Sequence, residues 1–320
     1  MNLLILAAGL TLVVFGAHLL VEGSVSIAKR YRMPEFLIGI TIVGIGTSMP
    51  EMVVSLFGSI DGKGGVAIGN IVGSNLSNLL LILGISALIR PIPIEKSVMR
   101  VDIPYNLIAN IVLLFMCFGG AFMYRNAAGS ISRIEGIILL LMFAAYMYYS
   151  FTSAKKNAPP AADEKEKLEK RKSVWISALF VCAGLVALIF GGRLFVTGAV
   201  NIAHHLGISD SVIAITILAV GTSLPELATS AVAAFKGNTD LALGNIIGSN
   251  IANICLILGV CATVNPLSTA GIRPLDVIMP IIATLMLLLS VFTFKGKGIN
   301  RMDGAIFILV YAAYVWFLIK

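Results

Sequence analysis

Apolar residues run along this chain in long blocks of nearly one length. A helix needs about 20 such residues to cross the hydrocarbon core of a bilayer. Stretches of that kind fall at roughly 3–22, 36–58, 66–89, 103–123, 134–152, 174–192, 210–235, 241–264, 275–294 and 303–319. The pattern predicts an all-α membrane protein with ten transmembrane helices. Gly or Pro and polar residues interrupt the second, third, seventh and eighth blocks, whereas the other six are plainly compatible with lipid. The one long polar stretch, 153–173, holds Lys155, Lys156, Pro159, Pro160 and the run DEKEKLEKRK. It reads as a solvated linker between five spans in 1–152 and five in 174–320.

Composition agrees. The 320 residues are 58% hydrophobic and 12% charged, about half the charge a soluble domain needs to meet water, and the mean hydropathy is +0.97. The net charge of +7 does not form the basic face of a nucleic-acid binder, because the cations lie between the apolar blocks. With the N-terminus outside, 17 of the 23 Lys and Arg residues fall in inside loops. The positive-inside rule then puts the N-terminus on the extracellular or periplasmic side of the cell (inner) membrane and the 153–173 linker in the cytoplasm. The first block has no basic lead and is too long for the core of a signal peptide. Cys117, Cys182, Cys255 and Cys261 all lie in apolar blocks and read as packing residues.

The chain repeats itself. Shifted by 175 residues, 21–91 lies on 196–266 without a gap, and 30 of the 71 pairs are identical. GTSMPE at 46–51 falls on GTSLPE at 221–226, and GNIVGSNLSN at 69–78 on GNIIGSNIAN at 244–253. Each half has an odd number of spans, so the second copy crosses the membrane in the opposite sense. Inverted repeats of this kind build many secondary transporters, whose sites lie near the midplane where broken helices meet.

Glu51 and Glu226 stand about 15 residues into their blocks, near mid-membrane. A carboxylate there is costly, rare and a mark of an ion path. Pro50 and Pro225 lack an amide hydrogen and crowd the carbonyl four residues back, so the helix is expected to unwind and bare carbonyls over Gly44 to Thr47 and Ala219 to Thr222. Thr47, Ser48, Thr222 and Ser223 add hydroxyls. Ser74 and Asn78, like Ser249 and Asn253, are four apart and share a helix face. Carboxylates, carbonyls, hydroxyls and amides are hard donors that suit Ca2+, Na+ and Mg2+ rather than Zn2+ or Cu. Two carboxylates match the charge of Ca2+, which takes 6–8 oxygens in flexible geometry. The same oxygens, divided among smaller sites, suit several Na+ ions.

These motifs resemble the two alpha-repeats of the calcium/cation antiporter superfamily, and most of all its prokaryotic sodium/calcium exchangers. The resemblance covers nearly the whole chain. It implies Na+/Ca2+ antiport by alternating access, with both ions as substrates, no organic cofactor, no enzymatic step and a monomer sufficient for transport in the lipid bilayer. It further implies that Glu51 and Glu226 ligate both ions. Thr47 and Thr222 would offer carbonyls to Ca2+, and their side chains to Na+ on one side. Ser48, Ser223, Ser74 and Ser249 would serve Na+ together with carbonyls of Gly44 and Ala219, and Asn78 and Asn253 would line the middle. The first and sixth spans would move as a pair. Some relatives carry Asp where this chain has Asn253, and potassium-dependent ones tie that Asp to K+, so its absence argues against K+ cotransport. GSNLSNLLLILG also resembles the proton-coupled branch, which tends to lack the GTS triplet. A Ca2+/H+ exchanger is therefore the first alternative, and a cation channel or membrane-bound ion sensor the second.

Three histidines complete the reading. His204 and His205 are expected in a loop near a membrane face and His18 near a helix end, with proton coupling as the alternative role. Glu22 falls on Thr197 in the repeat and reads as an interfacial charge, and Arg193 is expected to snorkel.

Overall fold

The computed structural model describes residues 2–123, 129–156, 173–205, 219–293 and 298–319. They are almost entirely helical. In chain order the helices are α1 (Asn2–Tyr31), α2 (Glu35–Thr47), α3 (Met49–Ile60), α4 (Gly64–Ile89), α5 (Val98–Gly119), α6 (Arg133–Lys156), α7 (Val174–His205), α8 (Ala219–Thr222), α9 (Leu224–Lys236), α10 (Thr239–Val264), α11 (Pro274–Thr293) and α12 (Arg301–Ile319). Eight of these are long and apolar enough to cross a membrane, and α2 with α3, bent by 49°, makes a ninth. The expected tenth span, 210–235, lies in part outside the described residues; α8 and α9 are its described portion. Most of the linker, 157–172, also lies outside them.

Several helices outrun their apolar blocks. α1 continues to Tyr31, with Lys29 and Arg30 in its last turn, where cations complement the negative end of the helix dipole. α7 runs to His205, so His204 and His205 are helical rather than in a loop. His18 lies well inside α1, not near its end.

The two polar-rich helices form the centre. Of the spanning windows of α4 and α10, 78% and 83% is buried, against 11–39% for the six other long helices. Those six turn bulky side chains such as Phe15, Trp175 and Leu309 outward, as lipid-facing helices do. Residues such as Asn75, Ser77, Asn245 and Asn250, ill suited to lipid, are buried in the middle. Both central helices widen into a π turn, at Ser77–Ile82 and Ala252–Leu258. Such turns are rare and favour functional positions.

α1 and α7 pack along a seam of glycines that recur every seven residues: Gly9, Gly16 and Gly23 against Gly184, Gly191 and Gly198. A Cβ on Gly16 would lie 2.8 Å from the Leu188 nitrogen, and one on Gly184 2.6 Å from the Leu20 nitrogen. The backbones touch because nothing stands between them.

Short strands tie the first and second halves of the chain. β1 (Ile92–Pro93) pairs with β4 (Gly298–Ile299), and β2 (Ser130–Ile131) with β3 (Leu267–Ser268), both antiparallel. At the ends of α3 and α10, Ser59 Oγ donates to the Cys261 carbonyl at 2.8 Å, and Asn265 Nδ2 to the Ser59 carbonyl at 2.8 Å.

Candidate functional site

The break in the second span is sharper than the sequence predicts. α2 stays helical through Thr47, and Ser48 alone leaves helical geometry, at φ −80° and ψ 8°. Ser223 does the same between α8 and α9, at φ −85° and ψ 9°. Pro50 and Pro225 then sit in the first turn of a new helix, where an amide hydrogen has no intrahelical partner anyway. The expected unwinding over Gly44 to Thr47 is therefore confined to one residue. The Gly44 carbonyl accepts from Ser249 Oγ at 3.1 Å.

That geometry puts Glu51 and Glu226 in the first turns of α3 and α9, at the positive ends of two helix dipoles. Both are buried, with 0% and 1% exposure. Ser48 Oγ donates to Glu226 Oε1 at 3.0 Å, and Ser223 Oγ to Glu51 Oε1 at 3.2 Å. Each break thus serves the carboxylate of the other half. Ser74 Oγ adds a bond to Glu51 Oε1 at 3.3 Å. The carboxylates are within electrostatic reach of each other, and the described residues offer no cation to either.

Eleven buried side-chain oxygens lack a hydrogen-bond partner among the described residues, and six of them stand in the repeated motifs: Glu51 Oε2, Ser77 Oγ, Asn78 Oδ1, Thr222 Oγ1, Glu226 Oε2 and Asn253 Oδ1. A buried acceptor left bare costs about 1–3 kcal/mol, and more when charged. Oxygens of this kind are hard donors, able to meet a cation as well as a hydrogen-bond donor. Thr47 Oγ1 lies 3.0 Å from the Val43 carbonyl and 3.2 Å from Asn245 Oδ1. Ala219 opens α8, and its side chain is outside the described set. Among the described residues no group of three or more His, Cys, Asp or Glu forms.

Six polar residues were not singled out from the sequence. Asn70 Nδ2 bonds the Glu51 carbonyl at 3.4 Å and Ser55 Oγ at 3.1 Å; Asn245 Nδ2 bonds the Glu226 carbonyl at 3.4 Å and Ser230 Oγ at 2.9 Å. Asn75 and Asn250 bond each other's halves at the middle of α4 and α10. All six are identical across the 175-residue shift, and that was the signal available.

A cavity of about 810 Å3 reaches Asn70, Ser74 and Thr222, and is lined among others by Pro50, Arg193 and Pro225; Glu51 and Glu226 are not in its wall. Arg193 is therefore a cavity residue of α7. On the opposite approach α2 lies tight on α10: a Cβ on Gly39 would be 2.7 Å from the Leu241 carbonyl. Asn245 and Ser249, repeat mates of Asn70 and Ser74, are fully buried there.

The family model described as sodium/calcium exchanger protein matches residues 1–152 and 176–320. The chain belongs to the sodium/calcium exchanger family. Within this family it is 33% identical to sodium/calcium exchanger MaX1 of Methanosarcina acetivorans, over 98% of this chain and 97% of that relative. It also resembles the solved structure of the sodium-calcium exchanger NCX_Mj soaked with 10 mM Na+ and 10 mM Sr2+. The TM-score is 0.82 at 32% identity, covering 98% of this chain and 97% of that one. At lower identity, 22%, stands the Ca(2+)/H(+) antiporter ChaA of Bacillus subtilis, over 82% of this chain and 77% of that relative. The chain is accordingly a multi-pass membrane protein of a cation antiporter family.

Proposed function

We propose that the protein exchanges Na+ for Ca2+ by alternating access, without an organic cofactor, at one site shared by its two halves. The observation that carries this reading is the set of buried oxygens without a hydrogen-bond partner that the two repeats contribute: Glu51 Oε2 and Glu226 Oε2, with the amide oxygens of Asn78 and Asn253. Two negative charges facing neutral oxygens suit one divalent ion or several monovalent ions. Because both ion classes need the same carboxylates, they compete, and competition couples their movements. Thr47, Thr222, Ser48, Ser223, Ser74 and Ser249, with carbonyls of Gly44 and Ala219, complete the proposed ligand set. The likeness to MaX1, a sodium/calcium exchanger, supports Na+ as the partner ion.

The reading includes two inverted five-helix repeats, 1–152 and 174–320, joined by a cytoplasmic linker at 153–173. The N-terminus is outside, and a monomer suffices. The cavity then opens to the outside, because its α3 and α4 walls flank the Asp61–Lys63 turn, and α1 with α7 moves as the gating pair. In proteoliposomes, an imposed Na+ gradient should drive 45Ca2+ uptake while K+ and H+ gradients should not. Glu51→Gln and Glu226→Gln should each abolish it. Uptake driven by H+ and indifferent to Na+ would instead assign the chain to proton-coupled exchange. Currents far above transporter turnover would make it a channel.

A further inference from the structure

Four asparagines form a hydrogen-bonded chain at the centre of the molecule, with Asn78 and Asn253 at its ends. Asn78 Nδ2 donates to Asn250 Oδ1 at 2.9 Å, and Asn253 Nδ2 to Asn75 Oδ1 at 3.0 Å. Asn75 Nδ2 donates to the Asn250 carbonyl at 3.2 Å, and Asn250 Nδ2 to the Asn75 carbonyl at 3.3 Å. All four side chains are buried, at 0–1% exposure. The bonds use Asn75 and Asn250 at both ends of the amide. They use Asn78 and Asn253 only at the nitrogen, leaving both Oδ1 atoms bare.

An asparagine amide is nearly symmetric in shape and opposite in polarity at its two ends. Turned one way it offers a cation an oxygen, and turned the other way an NH2 that repels it. Neither carboxylate settles the choice, since the bonds to Glu51 and Glu226 Oε1 come from serines. What settles it is the acceptor oxygen that Asn250 and Asn75 hold out from the opposite helix. Their own NH2 groups are anchored on backbone carbonyls, so their oxygens have one direction left to point. The π turns that begin at Ser77 and Ala252 place Asn78 and Asn253 within reach of this clasp.

We infer that Asn75 and Asn250 are positioning residues that hold the side-chain oxygens of Asn253 and Asn78 toward the transported cation while touching no ion themselves. The inference rests on the cation reading given above and adds residues to which no transport role follows from ligation. It also separates two functions within GSNLSN and GSNIAN: the first asparagine orients and the second ligates.

The test exploits the one substitution indifferent to amide orientation. Aspartate carries oxygen at both ends, so Asn78→Asp offers an oxygen whichever way the group turns. Ca2+ binding to purified protein is measured by calorimetry, independently of any coupling ion. Asn250→Ala is expected to weaken Ca2+ binding tenfold or more, and adding Asn78→Asp should recover most of that loss relative to Asn78→Asp alone. Asn75→Ala with Asn253→Asp repeats the experiment in the other half, should Asn250→Ala fold poorly. Unchanged binding in the alanine variants overturns the inference, as does a loss in folded protein that aspartate does not recover. Failure of both alanine variants and both double variants to fold also overturns it, because the clasp would then hold the fold and not the amides. A wild type that binds neither Ca2+ nor Na+ removes the cation reading and the clasp together; a wild type that binds while Asn250→Ala binds equally well removes only the clasp.

Discussion

Ser48 and Glu226 lie 178 residues apart in sequence and 3.0 Å apart in space. Ser223 and Glu51 repeat the contact at 3.2 Å in the opposite direction. The serine that breaks one span therefore reads the charge state of the other half. Each carboxylate thus has a hydrogen-bond donor from the opposite half of the chain.

This crossed arrangement predicts which residues couple energetically. In cation-free buffer, a double-mutant cycle on thermal stability should give Ser48→Ala and Glu226→Gln a coupling of about 0.5–2 kcal/mol. Ser48→Ala and Glu51→Gln, three residues apart in the chain, should couple less, since no hydrogen bond joins them. Equal couplings would show that serine and carboxylate act within their own half.

The glycine seam between α1 and α7 predicts a steric cost with little chemical change. Gly16→Ala and Gly191→Ala would each set a methyl 2.8 Å from a backbone nitrogen of the facing helix. Overpacking of this kind costs about 1–3 kcal/mol. Both variants should melt earlier and transport more slowly at unchanged Ca2+ affinity. Gly119→Ala is the control, because nothing lies within 4 Å of its added carbon. Flux and thermal melting on the same preparations decide the point.

Much of this was legible in the sequence, for a physical reason. Lipid requires long apolar helices, so α1, α4 to α7 and α10 to α12 announce themselves by length. A membrane-buried Glu is expensive enough that Glu51 and Glu226 stood out by type alone. The 175-residue shift, found in residues 21–91, also relates Gly9 and Gly16 to Gly184 and Gly191. What stayed hidden depends on distances between halves. No spacing rule says that Ser48 crosses to Glu226, and π turns have no residue signature. Asn75 was not singled out, because its partners lie on α10. The width of the break was overestimated, since a proline in the first turn of a new helix disturbs little. The apolar sequence around Arg193 does not reveal the cavity that it lines.

The strand links between the halves yield a stability prediction with a built-in comparison. Gly298 has φ +132° and Gly271 φ +82°, both in the region that favours glycine. A Cβ on Gly271 would meet nothing within 4 Å, whereas one on Gly298 would collide with the Ile92 carbonyl and stand 2.7 Å from Pro93 Cα. Gly271→Ala should cost only backbone strain, about 1 kcal/mol. Gly298→Ala adds a clash that only separation of β1 and β4 relieves, and should cost at least about 2 kcal/mol. Thermal melts of the two variants, compared directly, check the difference.

Arg193 sets the last expectation. It lines the cavity leading to Ser74 and Thr222, so an approaching cation meets a fixed positive charge of like sign. Coulomb repulsion scales with the ion's charge, so Ca2+ is opposed twice as strongly as Na+ at any distance. The repeat mate of Arg193 is His18 on α1, so the two halves do not present the same charge. Arg193→Gln should lower the KM for Ca2+ offered from the cavity side by about two- to fourfold, and the KM for Na+ by less. Arg193→Lys should keep the wild-type values. Because the site is open to water, the difference should shrink as ionic strength rises and the Debye length falls below about 8 Å. Ca2+ offered from the opposite side should bind as in wild type. Sided flux measurements in oriented vesicles at two salt concentrations check all four statements, and a KM that shifts equally on both sides would show that Arg193 acts through the fold and not through its field.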